Sequence, residues 1–358
     1  MGISKPQTQE EIRKSPPGKI NGDIRVGVIG AGYWGPKLAR NFHEISGSVL
    51  KWVADLRPDR LQEISLRFPD VATTSDYETL LDEVDAVVIA TPVHSHHRLA
   101  MKVLEAGKHI LVEKPVTSNA DQARELVDLA EKKALTLMVG HTFVYNPAVQ
   151  AVREIVQSGQ LGDIYYLNAT RASLGLLQPD INVMWDLAPH DISLLRYILG
   201  REPESVNARG MTFINTRSKL YEVVYLNLLF TGGVLANIRL SWLDPVKQRR
   251  LTIVGSKKML VYDDIADTKV IIFDKGVEVP PYSVTEAEFR ASYRQGDETV
   301  YPLQWTEPLR NECSHFLDCI RTGAIPRSSG KDGLKVVQIL ETAQRSLENH
   351  SCELKIEF

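Results

Sequence analysis

The chain has 358 residues, 43% of them hydrophobic, and a formal net charge of −3, enough for two domains with a large core. Without a cationic excess, the balance argues against nucleic acid as a partner, and no run of about 18 apolar residues argues for a membrane span. Cys313, Cys319 and Cys352 are odd in number and crowd toward the C-terminus, the pattern of reduced thiols in a cytoplasm.

Residues 1–22 are polar and rich in Lys, Gln and Pro, and read as a mobile tail. Ile24 to Ile29 reads as a buried strand that runs into Gly30-x-Gly32-x-x-Gly35, with Tyr33 and Trp34 between the last two glycines. Pro36 suits the first turn of a helix that Lys37 to Ile45 continues. Glycine weakens both kinds of element, so something there needs close access to the backbone. A dinucleotide diphosphate meets that need. Gly30 allows the tight turn, Gly32 lets backbone N–H groups approach the phosphates, and Gly35 lets helix and strand pack closely. The helix N-terminus adds partial positive charge and free donors.

A second strand, Val49 to Ala54, ends at Asp55, twenty residues past Gly35, where an acid can hold the adenosine ribose hydroxyls. Its charge predicts NAD rather than NADP. Arg57 softens that preference, stacks on the adenine, or is a solvated residue at a helix start. Strand and helix patterns then alternate: strand Ala86 to Ala90, helix Ser95 to Ala106, strand His109 to Val112, helix Asn119 to Lys133 and the strand "LTLMVG". This rhythm predicts a doubly wound parallel sheet over residues 23–140, with its ligand at the carboxyl ends of the strands.

Two of those ends stand out. In "ATPVHSHH", Thr91 and Pro92 are placed beside the cofactor. His94, His96 and His97 have no acidic or cysteine partners around them, so no metal site is expected. In "VEKP", Glu113-Lys114-Pro115, the proline keeps Lys114 out of the helical region. A lysine there can bond a substrate oxygen or move a proton, although the same letters also fit a solvated turn.

Residues 141–358 are expected to form a second domain. It starts with helix Ala148 to Gln157, and a helix from Pro189 to Leu199 stops at Gly200. Alternating strands follow in "VVYLNLLF-TGG-VLANIRLSWL" and "RRLTIVG-SKK-MLVYDD", then helices Glu307 to Arg321 and Lys331 to Leu347. The apolar strands Val223 to Phe230 and Val234 to Leu243 suggest a face too large to leave wet, hence a homodimer or homotetramer. "MWDLAPHDISLL" places Asp186 and His190 four apart, on one helical face if the segment is helical. They fit a base and the acid that orients it, and equally an ordinary helix start. Arg171, in the strand "YYLNATRAS", together with Tyr145 and Asn146 before Pro147, are the candidate donors to an anionic substrate. Arg171 also fits a surface salt bridge. Lys247, Arg249 and Arg250 alternate along a strand and receive no site role.

With "GVIGAGYWG", "VVIATPVHSHHRLAMKVLEAGKHILVEKP" and "SGQLGDI" in this order and spacing, the chain resembles the Gfo/Idh/MocA family of sugar oxidoreductases from Asp23 onward. The resemblance implies an α/β Rossmann domain, a doubly wound parallel sheet, plus a C-terminal α/β domain with an open, mostly antiparallel sheet. It implies NAD as cofactor and a catalytic role for Lys114, with Asp186 and His190 as the family's acid and histidine, and His96 as its histidine after Thr91-Pro92. The family often has D-x-G-x-H, where this chain has Ala188-Pro189 before the histidine, and an Asp where this chain has Ser193. "GHTFVYNPAV" and "SWLDPVKQRR" resemble the branch that oxidises the 3-hydroxyl of UDP-N-acetylglucosamine or its uronic acid. The alternatives are an inositol or free-sugar dehydrogenase and a non-catalytic NAD(P)-binding regulator.

Overall fold

The protein is described from a computed structural model, which covers residues 22–358 apart from 176, 179, 215, 217–219 and 279–291. The expected N-terminal tail lies outside the described residues except for Gly22. The first domain alternates β1 (Ile24–Ile29), α1 (Gly35–Glu44), β2 (Ser48–Ala54), α2 (Pro58–Arg67), β3 (Ala72–Thr74), β4 (Ala86–Ile89), α3 (Val93–Glu105), β5 (His109–Glu113), α4 (Ala120–Lys132) and β6 (Leu137–Gly140). The six strands are parallel in the order β3-β2-β1-β4-β5-β6. The order reverses beside β1, so β1, β4 and β5 all end at one crevice. These strands are buried on both faces, which is why they read as continuous apolar runs.

The second domain contains α5 (Pro147–Gln157), β7 (Ile164–Leu174), α6 (Val183–Leu199), β8 (Pro203–Met211), β9 (Val223–Phe230), β10 (Val234–Ser241), β11 (Leu243–Gly255), β12 (Met259–Asp263), β13 (Val270–Glu278) and β14 (Ser292–Val300). The chain closes with α7 (Pro308–Thr322), α8 (Gly330–Glu348) and β15 (Leu354–Lys355). Among the described residues the sheet has nine strands, ordered β14-β13-β12-β11-β7-β10-β9-β8-β15. Every neighbouring pair is antiparallel except β7 with β10. One face packs on α5, α6 and α8 through Val149, Val152, Ile192, Leu195 and Ile339, against Leu226, Ile238 and Ile253. The other face is open and alternates polar with apolar side chains.

Two helix starts differ from the sequence expectation. α6 begins at Val183, not Pro189, because Asn182 caps it by accepting hydrogen bonds from the N–H groups of Met184 and Trp185. Pro189 thus sits inside the helix, where it removes the N–H that would reach the Trp185 carbonyl. α3 begins at Val93, two residues before Ser95. α7 and α8 also cross back onto the first domain. Leu309, Cys313, Phe316 and Leu317 of α7 share a core with Val26, Leu38 and Phe42, and Val337 of α8 packs with Val116 and Val139.

Candidate active site

The glycine loop has the shape its sequence predicts. Gly30 has φ +100°, and a Cβ there would lie 2.5 Å from the Ala90 carbonyl oxygen. A Cβ on Gly35 would lie 1.8 Å from the Gly30 carbonyl oxygen, so this helix start tolerates nothing larger. Gly32 has no heavy atom within 4 Å of the corresponding position, so the loop is open there. No side chain caps α1 and its first turn carries no acid; Pro36 has no N–H and Lys37 N–H donates to the Trp34 carbonyl at 3.0 Å, so the positive end of the helix faces the glycine loop without a competing carboxylate. Asp55 closes the loop: Oδ2 accepts from Ala31 N–H at 2.6 Å and Oδ1 from Arg57 N–H at 2.9 Å. The exposed Arg57 guanidinium lies 3.9 Å from that carboxylate. Tyr33 stacks on Trp34, and Lys37 Nζ lies 3.8 Å from the Tyr33 ring centre.

At the β4 end, Thr91 Oγ1 bonds Ser95 Oγ at 2.7 Å, and Pro92 caps α3. His96 is buried, with its ring nitrogens 2.7 Å from the Thr91 carbonyl and 2.9 Å from the Pro115 carbonyl. The resemblance made His96 the family's histidine after Thr91-Pro92, a candidate cofactor contact. Its ring instead ties the β4 loop to the β5 loop and presents no free nitrogen.

At the β5 end, Lys114 Nζ donates to the Asp186 carbonyl at 2.7 Å and to its carboxylate Oδ1 at 3.3 Å. The other carboxylate oxygen accepts from Trp242 Nε1 at 3.3 Å. Asp186 therefore orients Lys114. No side-chain hydrogen bond joins Asp186 to His190 among the described residues, where the sequence expected an acid–base pair. Burial pushes the Glu113 carboxyl up to about 7, opposed by the neighbouring Lys114. Trp34 Nε1 faces Glu113 but is buried without a partner in hydrogen-bond geometry.

His190 lies edge-on to Phe143, with ring centres 5.1 Å apart. Its Nδ1 is buried without a partner among the described residues. Burial, then the charges of Lys114 and Arg171, then His141 and Arg249, hold its pKa well below the ordinary histidine value. His190 is thus a neutral imidazole among cations.

The three expected donors to an anionic substrate are spoken for. Arg171 is buried, its Nε and Nη2 donating to the two oxygens of Asp191 at 2.6 and 3.1 Å. Tyr145 is fully buried, its hydroxyl within 2.9 Å of Ser328 Oγ, and it belongs to the core. Asn146 caps α5 and donates to Asp264 at 3.2 Å. The aromatic-Asn-Pro letters that suggested a binding loop are those of a helix start. Sequence reasoning missed Trp242, Phe143 and His141. His141 follows β6 directly, a strand-end position that singles it out. Both its nitrogens are buried without partners among the described residues, and burial, with Arg196 and Lys114 nearby, pushes its pKa down to about 3.

A parallel sheet ending in an open glycine loop, with Lys114, Asp186 and His190 converging at its edge, defines an NAD-binding oxidoreductase. Residues 24–141 match the oxidoreductase family with an NAD-binding Rossmann fold, and residues 149–261 match the GFO/IDH/MocA C-terminal domain. The chain belongs to the GFO/IDH/MocA family of oxidoreductases. It is 32% identical over 266 residues to the UDP-N-acetylglucosamine 3-dehydrogenase of Acidithiobacillus ferrooxidans, covering 72% of this chain and 79% of that one. A solved structure of UDP-N-acetylglucosamine 3-dehydrogenase GnnA from Acidithiobacillus ferrooxidans aligns with a TM-score of 0.77 at 27% identity, over 91% of this chain and 98% of that one. The myo-inositol 2-dehydrogenase of Thermotoga maritima is 25% identical over 341 residues, 91% of this chain and 96% of that one. The cofactor is NAD, and the enzyme is an oxidoreductase with dehydrogenases among its relatives.

Proposed function

We propose that the chain oxidises the 3-hydroxyl of a nucleotide sugar, UDP-N-acetylglucosamine or its uronic acid. The observation that carries this reading is Arg249, whose partly exposed guanidinium lies 5.8 Å from the Phe143 ring that packs edge-on to His190, a cation that an anionic substrate can reach and a neutral polyol does not need. The relative that acts on UDP-N-acetylglucosamine supports the same substrate class.

Bound NAD supplies the hydride acceptor. Gly30, Gly32 and Gly35 admit its diphosphate, Asp55 holds the adenosine ribose, and Glu113, Thr91 and Pro92 flank the nicotinamide end. His190, neutral at working pH, takes the hydroxyl proton through the nitrogen not buried against Phe143. Lys114, fixed by Asp186, has a third N–H for the same oxygen and stabilises its developing charge. Trp242 fixes Asp186 in turn.

We further assign the open sheet face to a homodimer or homotetramer contact, and the free buried thiols of Cys313 and Cys319 to a cytoplasmic setting. The deciding experiment measures NADH production with UDP-N-acetylglucosamine, its uronic acid, free N-acetylglucosamine and myo-inositol. The expected kcat/KM is about 100-fold or more higher for a UDP-sugar than for the free sugar, because remote binding energy positions the reacting carbon. Equal turnover of myo-inositol overturns the nucleotide-sugar reading.

A further inference from the structure

We propose that Lys247 and Arg249 of β11 form the subsite for the substrate's diphosphate, on the Phe143 side of the candidate active site, where the Phe143 ring lies 5.8 Å from Arg249 and edge-on to His190. The proposal rests on the nucleotide-sugar reading and names the residues that would enforce it. Arg249 stands directly across from Arg171 in the β11/β7 register and shares its face. Both guanidinium groups lie over the Phe143 ring, at 4.3 Å for Arg171 and 5.8 Å for Arg249.

The two arginines differ in what they have left to offer. The Arg171 fork is filled by Asp191. Arg249 has one ion pair, at 3.3 Å to Asp264, and its side chain is 38% exposed. The other Asp264 oxygen is taken by Tyr262 at 2.9 Å and Asn146 at 3.2 Å. Lys247 is exposed and has no hydrogen bond or ion pair to any described residue.

Both charges reach across to the first domain. Hydrogen bonding and charge from Lys37, and then the charges of Lys247 and Arg249, hold the Tyr33 hydroxyl below its ordinary pKa. Lys247 and Arg249 thus bring two cations to one stretch of β11 beside the Phe143 ring, with Asp264 the carboxylate paired to Arg249. Such a gathering repels itself until a polyanion enters. A diphosphate carries the charge to match it, and an arginine fork matches its oxygens. NAD does not fill this need, because its own diphosphate belongs to the N-terminus of α1. Arg250, one residue on, faces the opposite side of the sheet, opposite Thr170 and Asp263.

Calorimetric titration of UDP into the full chain saturated with NADH tests the assignment. Lys247→Gln and Arg249→Gln should each weaken UDP by about tenfold, as loss of a charge-assisted contact implies. The double variant should lose more, and its log Kd should depend less on log salt. Arg250→Gln should leave UDP binding unchanged, and NADH affinity should hold in every variant. The exposed Lys247→Gln keeps the test alive if Arg249→Gln unfolds. Undiminished UDP binding in the double variant, or no UDP binding by the wild type, overturns the subsite. UDP binding that is lost in the variants, by an enzyme that oxidises no UDP-sugar, upholds the subsite and overturns the proposed reaction.

Discussion

Lys114 is anchored to Asp186, 72 residues further along the chain, through both the backbone carbonyl and the carboxylate of that residue. The contact joins the end of a strand in one domain to a helix in the other. The site is therefore complete only where the end of β5 meets the first turns of α6. Lys114→Met and His190→Ala should each lower kcat by about 100-fold or more. NADH affinity, read by fluorescence titration, should stay within about twofold of the wild type. Near-full turnover in either variant removes that residue from the mechanism.

Asp191→Asn should destabilise the fold by about 3–5 kcal/mol in urea unfolding, because it leaves Arg171 buried and charged against Phe143 and His190. Replacing Arg171 and Asp191 together with leucine should recover much of that loss. A cost below about 1 kcal/mol for Asp191→Asn would mean that water reaches the pair.

His141 makes a sign prediction. In the unfolded chain its imidazole takes a proton near pH 6.5, whereas in the fold it stays neutral down to about 3. The unfolded state binds the extra proton across that window, so stability is lost as pH falls through it. Glu113 works the other way: its raised folded pKa costs stability as pH rises from 4.5 to about 7. Comparing His141→Leu with the wild type cancels the Glu113 contribution. Unfolding free energy should favour the variant increasingly as pH drops below 6.5, and parallel curves would refute the assignment.

Asp55→Ser should raise the Kd for NAD by about tenfold and narrow or reverse the gap to NADP. Since Asp55 also holds the Ala31 N–H, the turn itself will loosen. The ratio of the two cofactor affinities is therefore the readout, and a ratio unchanged from wild type would count against the ribose contact.

The outer sheet face carries Asn168, Asn237, Asn227 and Asn207 in register across four strands, with side-chain bonds of 2.8 Å from Asn237 to Asn227 and from Asn227 to Asn207. Tyr166, Leu235 and Tyr225 stand exposed beside this ladder. Light scattering should give a mass that is a multiple of 40.1 kDa, and Tyr225→Lys with Leu235→Lys should lower it. A wild-type monomer at micromolar concentration defeats the prediction.

What the sequence made legible was local. The strand into Gly30-x-Gly32-x-x-Gly35, the acid at Asp55 and the strand ending in Glu113-Lys114 are each written within a few residues, and the parallel sheet follows from their rhythm. The start of α6 was misplaced because Pro189 looks like a first-turn residue, while its cap, Asn182, lies seven residues upstream. Tyr145 looked like a binding residue because an aromatic before Asn-Pro resembles a loop, but only the packing of Ser328 against it shows that it is core. The parallel pairing of β7 with β10, and the turn of Asp186 from His190 toward Lys114, depend on contacts between distant segments that no short pattern encodes.

The return of α7 onto Val26, Leu38 and Phe42 has a consequence for how the enzyme is made. The nucleotide-binding strands are translated before the nine-stranded sheet, yet their core lacks Phe316 and Leu317 until the strands of that sheet up to β14 have been synthesised. During that interval the apolar faces of α1 and β1 stand open to chaperones and to other nascent chains. A message truncated before α7 therefore yields an unfinished nucleotide-binding domain rather than a smaller working one.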